Sequence, residues 1–198
     1  MATFIHKLFR AERAKAGLAL ASAAVLSVFA SAPARAQVRV GDMAPAFTAQ
    51  AALAGEAVPF SLAAALKGGP VVLFFYPKSF TSVCTEEAHL FAEAMADFTQ
   101  AGASVVGISS DTIDTQRKFS SMECRDRFAV AADPDLKVIK AYGVGFGLVG
   151  AILPFADRVS FVIAPDGRIL SRVKSGDAAP HVEKSLAAVK AWKAGVKG

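Results

Sequence analysis

Residues 71–87 read VVLFFYPKSFTSVCTEE and contain the most informative residue of the chain, Cys84. The apolar run 71–76 is bounded by Gly-Gly-Pro on one side and by Pro77 on the other, which predicts a buried strand. The residues that follow, to about Gln100, carry apolar side chains at helical spacing. Cys84 is therefore expected at the start of a helix that follows a central strand.

A cysteine at the start of a helix can act as a nucleophile. Backbone N–H groups there lack partners and can point at the sulfur, and the helix dipole favours negative charge. Both effects stabilise a thiolate, which is the reactive form of the side chain. The alternative is that Cys84 is a small buried hydrophobic residue, as free cysteines often are.

The spacing of Pro77, Thr81 and Cys84 distinguishes these alternatives. It fits P-x3-T/S-x2-C and resembles the active-site signature of the peroxiredoxins. Other segments follow in the order of that family: VVGISSD at 105–111, ADP at 132–134, YGV at 142–144 and RVSFVIAPDG at 158–167. The resemblance spans about residues 39–195. Within the family, the chain is most similar to the bacterioferritin-comigratory or peroxiredoxin Q branch, because Tyr-Pro-Lys precedes the site and the chain is short.

The resemblance implies a thiol-dependent peroxidase that reduces hydrogen peroxide and organic hydroperoxides through a sulfenic acid on Cys84. It implies that the Thr81 hydroxyl orients the peroxide and that Arg158 faces the thiolate and the peroxide oxygens. Glu87, about one helical turn after Cys84, would orient Arg158, and Pro77 would bound the pocket. Backbone N–H groups beside Cys84 would stabilise the leaving oxygen.

Each of these residues also has an ordinary structural explanation. Thr81 could cap the helix, and Glu87 could be a dipole partner in its first turn. Pro77 could simply end the strand. Arg158 stands next to Asp157 and could be a surface charge at the end of a strand.

Cys124, the second and last cysteine, is a possible resolving cysteine. In the branch that the chain resembles, this cysteine often stands five positions after the peroxidatic one, where this chain has His89; other members carry it in the helix after the second core strand. Cys124 falls in or just past that helix. Bridging needs α-carbons within roughly 7 Å, so both helices would have to unwind locally. Cys124 could instead be unpaired while an external thiol resolves Cys84, or be structural or inert.

Residues 1–36 have the pattern of a secretory signal peptide. Basic residues precede Ala16, no charge occurs from 16 to 34, and Ala34-Arg35-Ala36 suits a signal peptidase. An uncleaved anchor or an organellar transit peptide is the alternative, but the small residues favour cleavage near Ala36. The expected product is an exported, periplasmic domain of residues 37–198 with no membrane segment.

Charge and composition argue against several function classes. The leader holds five of the 22 basic and one of the 17 acidic residues, which leaves 17 against 16 in the rest of the chain. Nothing in that balance suggests a nucleic-acid partner. The glycines of 143–150 do not follow a strand and open a helix, and the scattered histidines show no metal-binding spacing. No cofactor and no metal are expected.

Alternating strands and helices predict an α/β domain whose mixed sheet has helices on both faces, and the resemblance specifies a thioredoxin-like fold. After an extended lead-in at 41–47 and a short helix at 60–66 capped by Ser61, the predicted strands are 71–76, 104–109, 129–131, 158–164 and 168–174. The last two are joined by a turn at 165–167. The predicted helices are 82–100, 112–127, 134–142 and 178–194.

Two other functions are compatible with this fold: a thiol–disulfide oxidoreductase and a non-enzymatic redox sensor. The first would need a Cys-x-x-Cys pair, and the two cysteines stand far apart. The expected partners are a peroxide and a thioredoxin-like or other thiol reductant, and the expected state is a monomer or homodimer. The uncharged segment 144–155 would either pack into the core or form a lid or contact surface.

Overall fold

The computed structural model describes residues 37–145 and 155–196. The strands are β1 (Thr48–Leu53), β2 (Glu56–Ser61), β3 (Val71–Phe75), β4 (Ser104–Ser109), β5 (Ala129–Ala132), β6 (Val159–Ile163) and β7 (Ile169–Lys174). The helices are α1 (Leu62–Ala65), α2 (Ser82–Ala101), α3 (Ile113–Met122), α4 (Lys137–Ala141) and α5 (Ala179–Val196). The strands form one mixed sheet in the order β2-β1-β5-β4-β3-β6-β7.

The central strand β3 divides the hydrophobic core into two halves. Its side chains alternate, so that Val72 and Phe74 pack with α2 and α5, while Leu73 and Phe75 pack on the opposite side with α1 and α4. β3 runs parallel to β4 and antiparallel to β6. The predicted mixed sheet with helices on both faces is confirmed, and the end of β3 leads directly into the cysteine-containing loop.

The sequence prediction missed the hairpin formed by β1 and β2. β1 reads TAQAAL, whose alanines have little strand preference, and β2 contains Pro59, which argues against a central strand. Proline is tolerated here because β2 is the edge strand of the sheet. The short helix was predicted correctly from Leu62 onward, and Ser61 caps it by accepting from the Ala64 amide at 3.4 Å.

Two predicted helix boundaries were wrong. α3 ends at Met122 instead of continuing to 127, because Arg125 and Asp126 both adopt the left-handed conformation, with φ of 52° and 57°. α4 begins at Lys137 rather than 134. The Asp133 carboxylate accepts from the amides of Lys137 and Ile139 at 2.9 and 2.8 Å, so that Pro134 lies in the preceding turn.

The segment before β1 runs along the far edge strand, β7. The Gly41 amide donates to the Ile169 carbonyl, and the Ile169 amide donates to the Asp42 carbonyl, both at 2.9 Å. The predicted turn between β6 and β7 is present, with Gly167 at φ 87°.

Two predictions concern residues outside those that the structure describes: the leader at 1–36 and most of the apolar segment 144–155. Val144 is buried, and Gly145 pairs with Ala156 in an isolated bridge. Among the described helices, none combines the length and apolar character needed to cross a membrane.

Candidate active site

Cys84 is buried in the first turn of α2. Thr81 occupies the N-cap position with an extended backbone, and the Thr85 amide donates to the Thr81 carbonyl at 2.9 Å. No side chain caps this helix. Amides in its first turn therefore remain open to stabilise negative charge near the sulfur. The prediction that Cys84 lies at the start of a helix is confirmed.

Arg158 connects the sheet to the cysteine. Its Nη2 lies 3.3 Å from Cys84 Sγ, its Nη1 donates to Glu87 Oε2, and only 9% of its side chain is exposed. Burial acts to lower the pKa of Arg158, but the charges of Glu87 and Cys84 raise it overall, so Arg158 stays a cation. Asp157 pairs with Lys174 at 2.6 Å instead. The alternative that Arg158 is a surface charge is wrong.

Glu87 is fully buried beneath Arg158. Burial raises its pKa to about 8, although Arg158 acts to lower it through its charge and its hydrogen bond. A solvent-exposed dipole partner would not be buried or paired in this way. The structure therefore places Glu87 where it can orient Arg158.

Thr81 and Pro77 lie at the two ends of the loop before α2. The Thr81 hydroxyl does not cap the helix; it donates to the Lys78 carbonyl at 2.9 Å. Since its proton is engaged, the exposed oxygen is free to accept a hydrogen bond from a peroxide. Pro77 is half-buried and follows the end of β3, next to Tyr76.

A polar network that the sequence analysis missed holds this loop against α3. Tyr76 donates to Gln116 Oε1 at 2.7 Å, and the Ser79 amide donates to Asp111 Oδ2 at 2.7 Å. Phe80 has a left-handed backbone (φ 64°), and its ring meets Phe119 edge-on at 5.2 Å. Polar residues after a strand and on the next helix were visible in the sequence, but nothing there showed that they converge on the loop.

His181 and Ser160 were also not predicted as part of the site. His181 Nδ1 lies 2.8 Å from Ser160 Oγ and 3.8 Å from Glu87 Oε1, and all three residues are buried. Sequence reasoning treated the histidines as scattered. The three residues belong to α5, β6 and α2, so no local pattern could have indicated that they meet.

Cys124 is a free, buried thiol, as is Cys84. It lies just past α3, in the turn that contains the left-handed Arg125 and Asp126. Burial raises the pKa of the Cys124 thiol, and the charges of Glu123 and Asp126 raise it further. In this arrangement Cys124 is a weak nucleophile, so reaction with Cys84 would require the turn to open.

A hydrogen bond and an ion pair hold the turn that carries Cys124 against α2. His89 Nε2 lies 2.7 Å from Glu123 Oε2, and Arg125 Nη1 lies 3.2 Å from Glu93 Oε1. His89 is thus a contact to the segment that carries Cys124. In the ranges 37–145 and 155–196, no cluster of three or more histidine, cysteine or carboxylate side chains could hold a metal ion.

Comparisons with known proteins identify relatives of this chain. The model of the AhpC/TSA family matches residues 40–172. A Mycobacterium tuberculosis relative that is named as a peroxiredoxin is 38% identical over 140 residues, which is 69% of this chain and 88% of the relative. The chloroplastic peroxiredoxin Q of Sedum lineare is 33% identical over 153 residues, or 76% of this chain and 77% of that protein.

Solved structures of other proteins are also similar to this chain. The crystal structure of peroxidoxin BcpB from Mycobacterium tuberculosis is similar at a TM-score of 0.71 and 34% identity, over 78% of this chain and 98% of that one. The reduced 2-Cys peroxiredoxin of Plasmodium vivax has a TM-score of 0.70 at 22% identity, over 81% and 84% of the two chains. At that lower identity, the second likeness concerns the fold alone.

Proposed function

Since the chain belongs to the AhpC/TSA family and is a peroxiredoxin, a thiol-dependent peroxidase, we propose that Cys84 is the residue that attacks the peroxide. The observation that carries this assignment is the contact of 3.3 Å between Arg158 Nη2 and Cys84 Sγ, at the open start of α2. A fixed cation and open amides can both stabilise negative charge that develops at this position.

In the proposed reaction, the Cys84 thiolate attacks one oxygen of the peroxide and the O–O bond breaks. Sulfur supplies the electron pair, so the cysteine becomes a sulfenic acid, and the other oxygen leaves as hydroxide or alkoxide and takes up a proton. Arg158, the residue before β6, faces the sulfur and is held by Glu87. Open amides of α2 can meet the charge that develops on the leaving oxygen.

Thr81 has a separate role in this proposal. Its hydroxyl donates to the Lys78 carbonyl, so its oxygen can only accept from the incoming peroxide. That contact would fix which peroxide oxygen faces the sulfur, since reacting atoms must be aligned before attack. Pro77 lacks an N–H group and bounds the same loop without offering a competing donor.

Peroxiredoxins reduce peroxides at the expense of a thiol. We propose a thioredoxin-like reductant for this chain, and Cys124 as the thiol that first condenses with the sulfenic acid on Cys84. Cys124 is the only other cysteine, and it lies in a short turn rather than inside a helix. On the side of Cys124, that turn would have to open, whereas the sequence analysis expected a helix to unwind there.

We also propose that residues 1–36 direct export to the periplasm and are removed near Ala36. The support is the order of a basic segment, an uncharged segment and a small-residue cleavage site. The test is to measure the N-terminus and mass of the protein recovered from the periplasmic fraction of a bacterial host. A mature chain beginning near Gln37 is expected, and a full-length chain in the cytoplasm would contradict the proposal.

The replacement Cys84→Ser tests the central assignment. The variant should keep its fold but lose peroxide consumption with a dithiol reductant, because the thiolate carries out the chemistry. A sulfenic-acid trapping reagent should label the Cys84 peptide of the parent after one equivalent of peroxide. Near-native peroxide consumption by the folded variant would rule out Cys84 as the nucleophile.

A further inference from the structure

A buried polar chain lies behind the contact between Cys84 and Arg158. Glu87 uses Oε2 to bind Arg158, but its Oε1 receives no hydrogen bond from the described residues. His181 Nδ1 lies 3.8 Å from this oxygen. Both side chains are fully buried, so bulk water does not reach the gap between them.

The His181 ring is held in one orientation by two contacts. Nε2 lies 3.3 Å from the Ser175 carbonyl, which can only accept, so we assign the ring proton to Nε2. Burial lowers the pKa of His181 to about 4, so the ring is neutral and Nδ1 is an acceptor. Ser160 Oγ, 2.8 Å away, therefore donates to Nδ1 and keeps that atom on the side of Glu87.

Glu87 and His181 face each other without a hydrogen bond between them. Burial keeps Glu87 protonated at neutral pH, with a pKa of about 8. Oε1 faces Nδ1 at 3.8 Å, and because the lone pair of Nδ1 already accepts from Ser160 Oγ, an ionised Oε1 would find no donor there. The ring therefore favours the neutral form of Glu87. The charge of Arg158 is then not cancelled and acts on the Cys84 sulfur, 3.3 Å from Nη2.

We propose that His181 is a positioning residue of the peroxidase site, which acts through Glu87 to set the orientation and effective charge of Arg158 beside Cys84. The inference rests on the proposed role of Cys84 and extends it to a residue with no hydrogen bond to the sulfur. The charged groups that act on the ring are Glu87 of α2, Arg158 before β6 and Lys184 of its own helix.

Three replacements separate this role from a purely structural one. His181→Leu removes both ring nitrogens. His181→Asn places an amide near the Nδ1 position, which can meet Ser160 and Glu87 but cannot take up a proton. Val189→Ala truncates another fully buried residue of α5 and serves as the matched control, because it changes packing without changing a polar contact.

The readout is the second-order rate of Cys84 oxidation by hydrogen peroxide across a range of pH. We expect His181→Leu to lower the maximal rate about tenfold, a typical loss when one member of a polar network is removed. His181→Asn should recover most of that loss. The fall in rate at alkaline pH that ionisation of Glu87 gives the parent should move by about half a pH unit or more in both variants, because replacing the ring changes the surroundings of Glu87 Oε1.

Glu87→Gln provides the test of mechanism. If His181 acts through Glu87, His181→Leu should have little further effect in the Glu87→Gln background. The inference is overturned if His181→Leu has its full effect in the Glu87→Gln background. It is also overturned if His181→Leu alone keeps a rate within twofold of the parent and an unchanged pH profile, or if Val189→Ala shows the same change. If His181→Leu does not fold, Ser160→Ala, which releases the ring, must lower the rate and move the fall in rate at alkaline pH, or the inference fails.

The outcome for Cys84 is independent of these results. If Cys84→Ser still reduces peroxide, the proposed function fails whatever His181 does. If Cys84 is required but the His181 and Ser160 variants behave like the parent, only the inference fails.

Discussion

At the scale of single residues, the site depends on one guanidinium that faces two partners. Arg158 donates to the Cys84 sulfur with one nitrogen and to Glu87 with the other, and its side chain is almost fully buried. The planar fork of arginine allows both contacts at once, which the single ammonium of a lysine would not. Replacing Arg158 should therefore affect the chemistry more than the stability.

Thr81→Val and Arg158→Met should each slow the reaction of Cys84 with peroxide roughly ten- to a few-hundredfold, the effect of one lost hydrogen-bonding or charged contact in the transition state. The rate is measured by rapid mixing, and the melting temperature is recorded for each variant. Thr85→Val makes the same chemical change one turn further along α2 and should react like the parent. If both site variants react as fast as the parent, Thr81 and Arg158 are structural.

At the scale of elements, the close approach of β3 and β4 determines how the loop before Cys84 is supported. Gly107 of β4 lies opposite Phe74. A side-chain carbon at Gly107 would stand 2.7 Å from Phe74 Cζ and 3.1 Å from Tyr76 Cε1. Tyr76 in turn binds Gln116 and Ser79. The glycine is needed for packing beneath the site, and no turn or unusual backbone angle is involved.

Gly107→Ala is therefore expected to lower the free energy of unfolding by about 1–3 kcal/mol, as for an overpacked core. Gly176→Ala, where an added carbon would meet nothing within 4 Å, should change it by less than about 0.5 kcal/mol. Urea denaturation of both variants and the parent is the measurement. Equal stability of Gly107→Ala and the parent would show that Phe74 and Tyr76 can move aside.

Cys124→Ala tests the link between α2 and the turn after α3. The parent should lose two hydrogens in mass after one equivalent of peroxide, since the sulfenic acid on Cys84 condenses with Cys124 and releases water. The variant should gain one oxygen and be more prone to further oxidation. If the parent also gains one oxygen, or if the variant turns over normally with a thioredoxin-type reductant, an external thiol resolves Cys84.

At the scale of the whole molecule, two buried groups give stability opposite dependences on pH. The pKa of Glu87 is raised from 4.5 to about 8, so its contribution is present below pH 4.5 and is lost as the pH rises to 8. The pKa of His181 is lowered from 6.5 to about 4, so its contribution is present above pH 6.5 and is lost as the pH falls to 4. Between pH 4.5 and 6.5 the two trends oppose each other.

Between pH 6.5 and 8, the free energy of unfolding of the parent should therefore fall by about 2 kcal/mol more than that of Glu87→Gln, because of the two groups only Glu87 titrates in this range. His181→Asn should instead flatten the acid side of the profile. Urea denaturation of the three proteins across this range measures both effects. Parallel profiles for the parent and Glu87→Gln would show that Glu87 is ionised at neutral pH.

The sequence predicted the parts of the molecule that depend on local spacing. Residues 77–87 were placed correctly because strand, loop and helix follow one another without interruption. The β1–β2 hairpin was missed because alanine has little strand preference and Pro59 argues against a strand. His181 was missed because its contact with Glu87 joins two helices that are distant in sequence, and only the folded chain brings them together.

The two outer strands of the sheet bear on aggregation. β2 carries Pro59, which has no N–H group to offer a neighbouring chain. Ile169, the first residue of β7, is covered by the segment at 41–42, and Arg172 and Lys174 place positive charges further along that strand. Both borders of the sheet thus disfavour fibril-like growth by strand addition. If two copies associate, they should meet through helices or loops, and concentrated protein should remain free of cross-β assemblies.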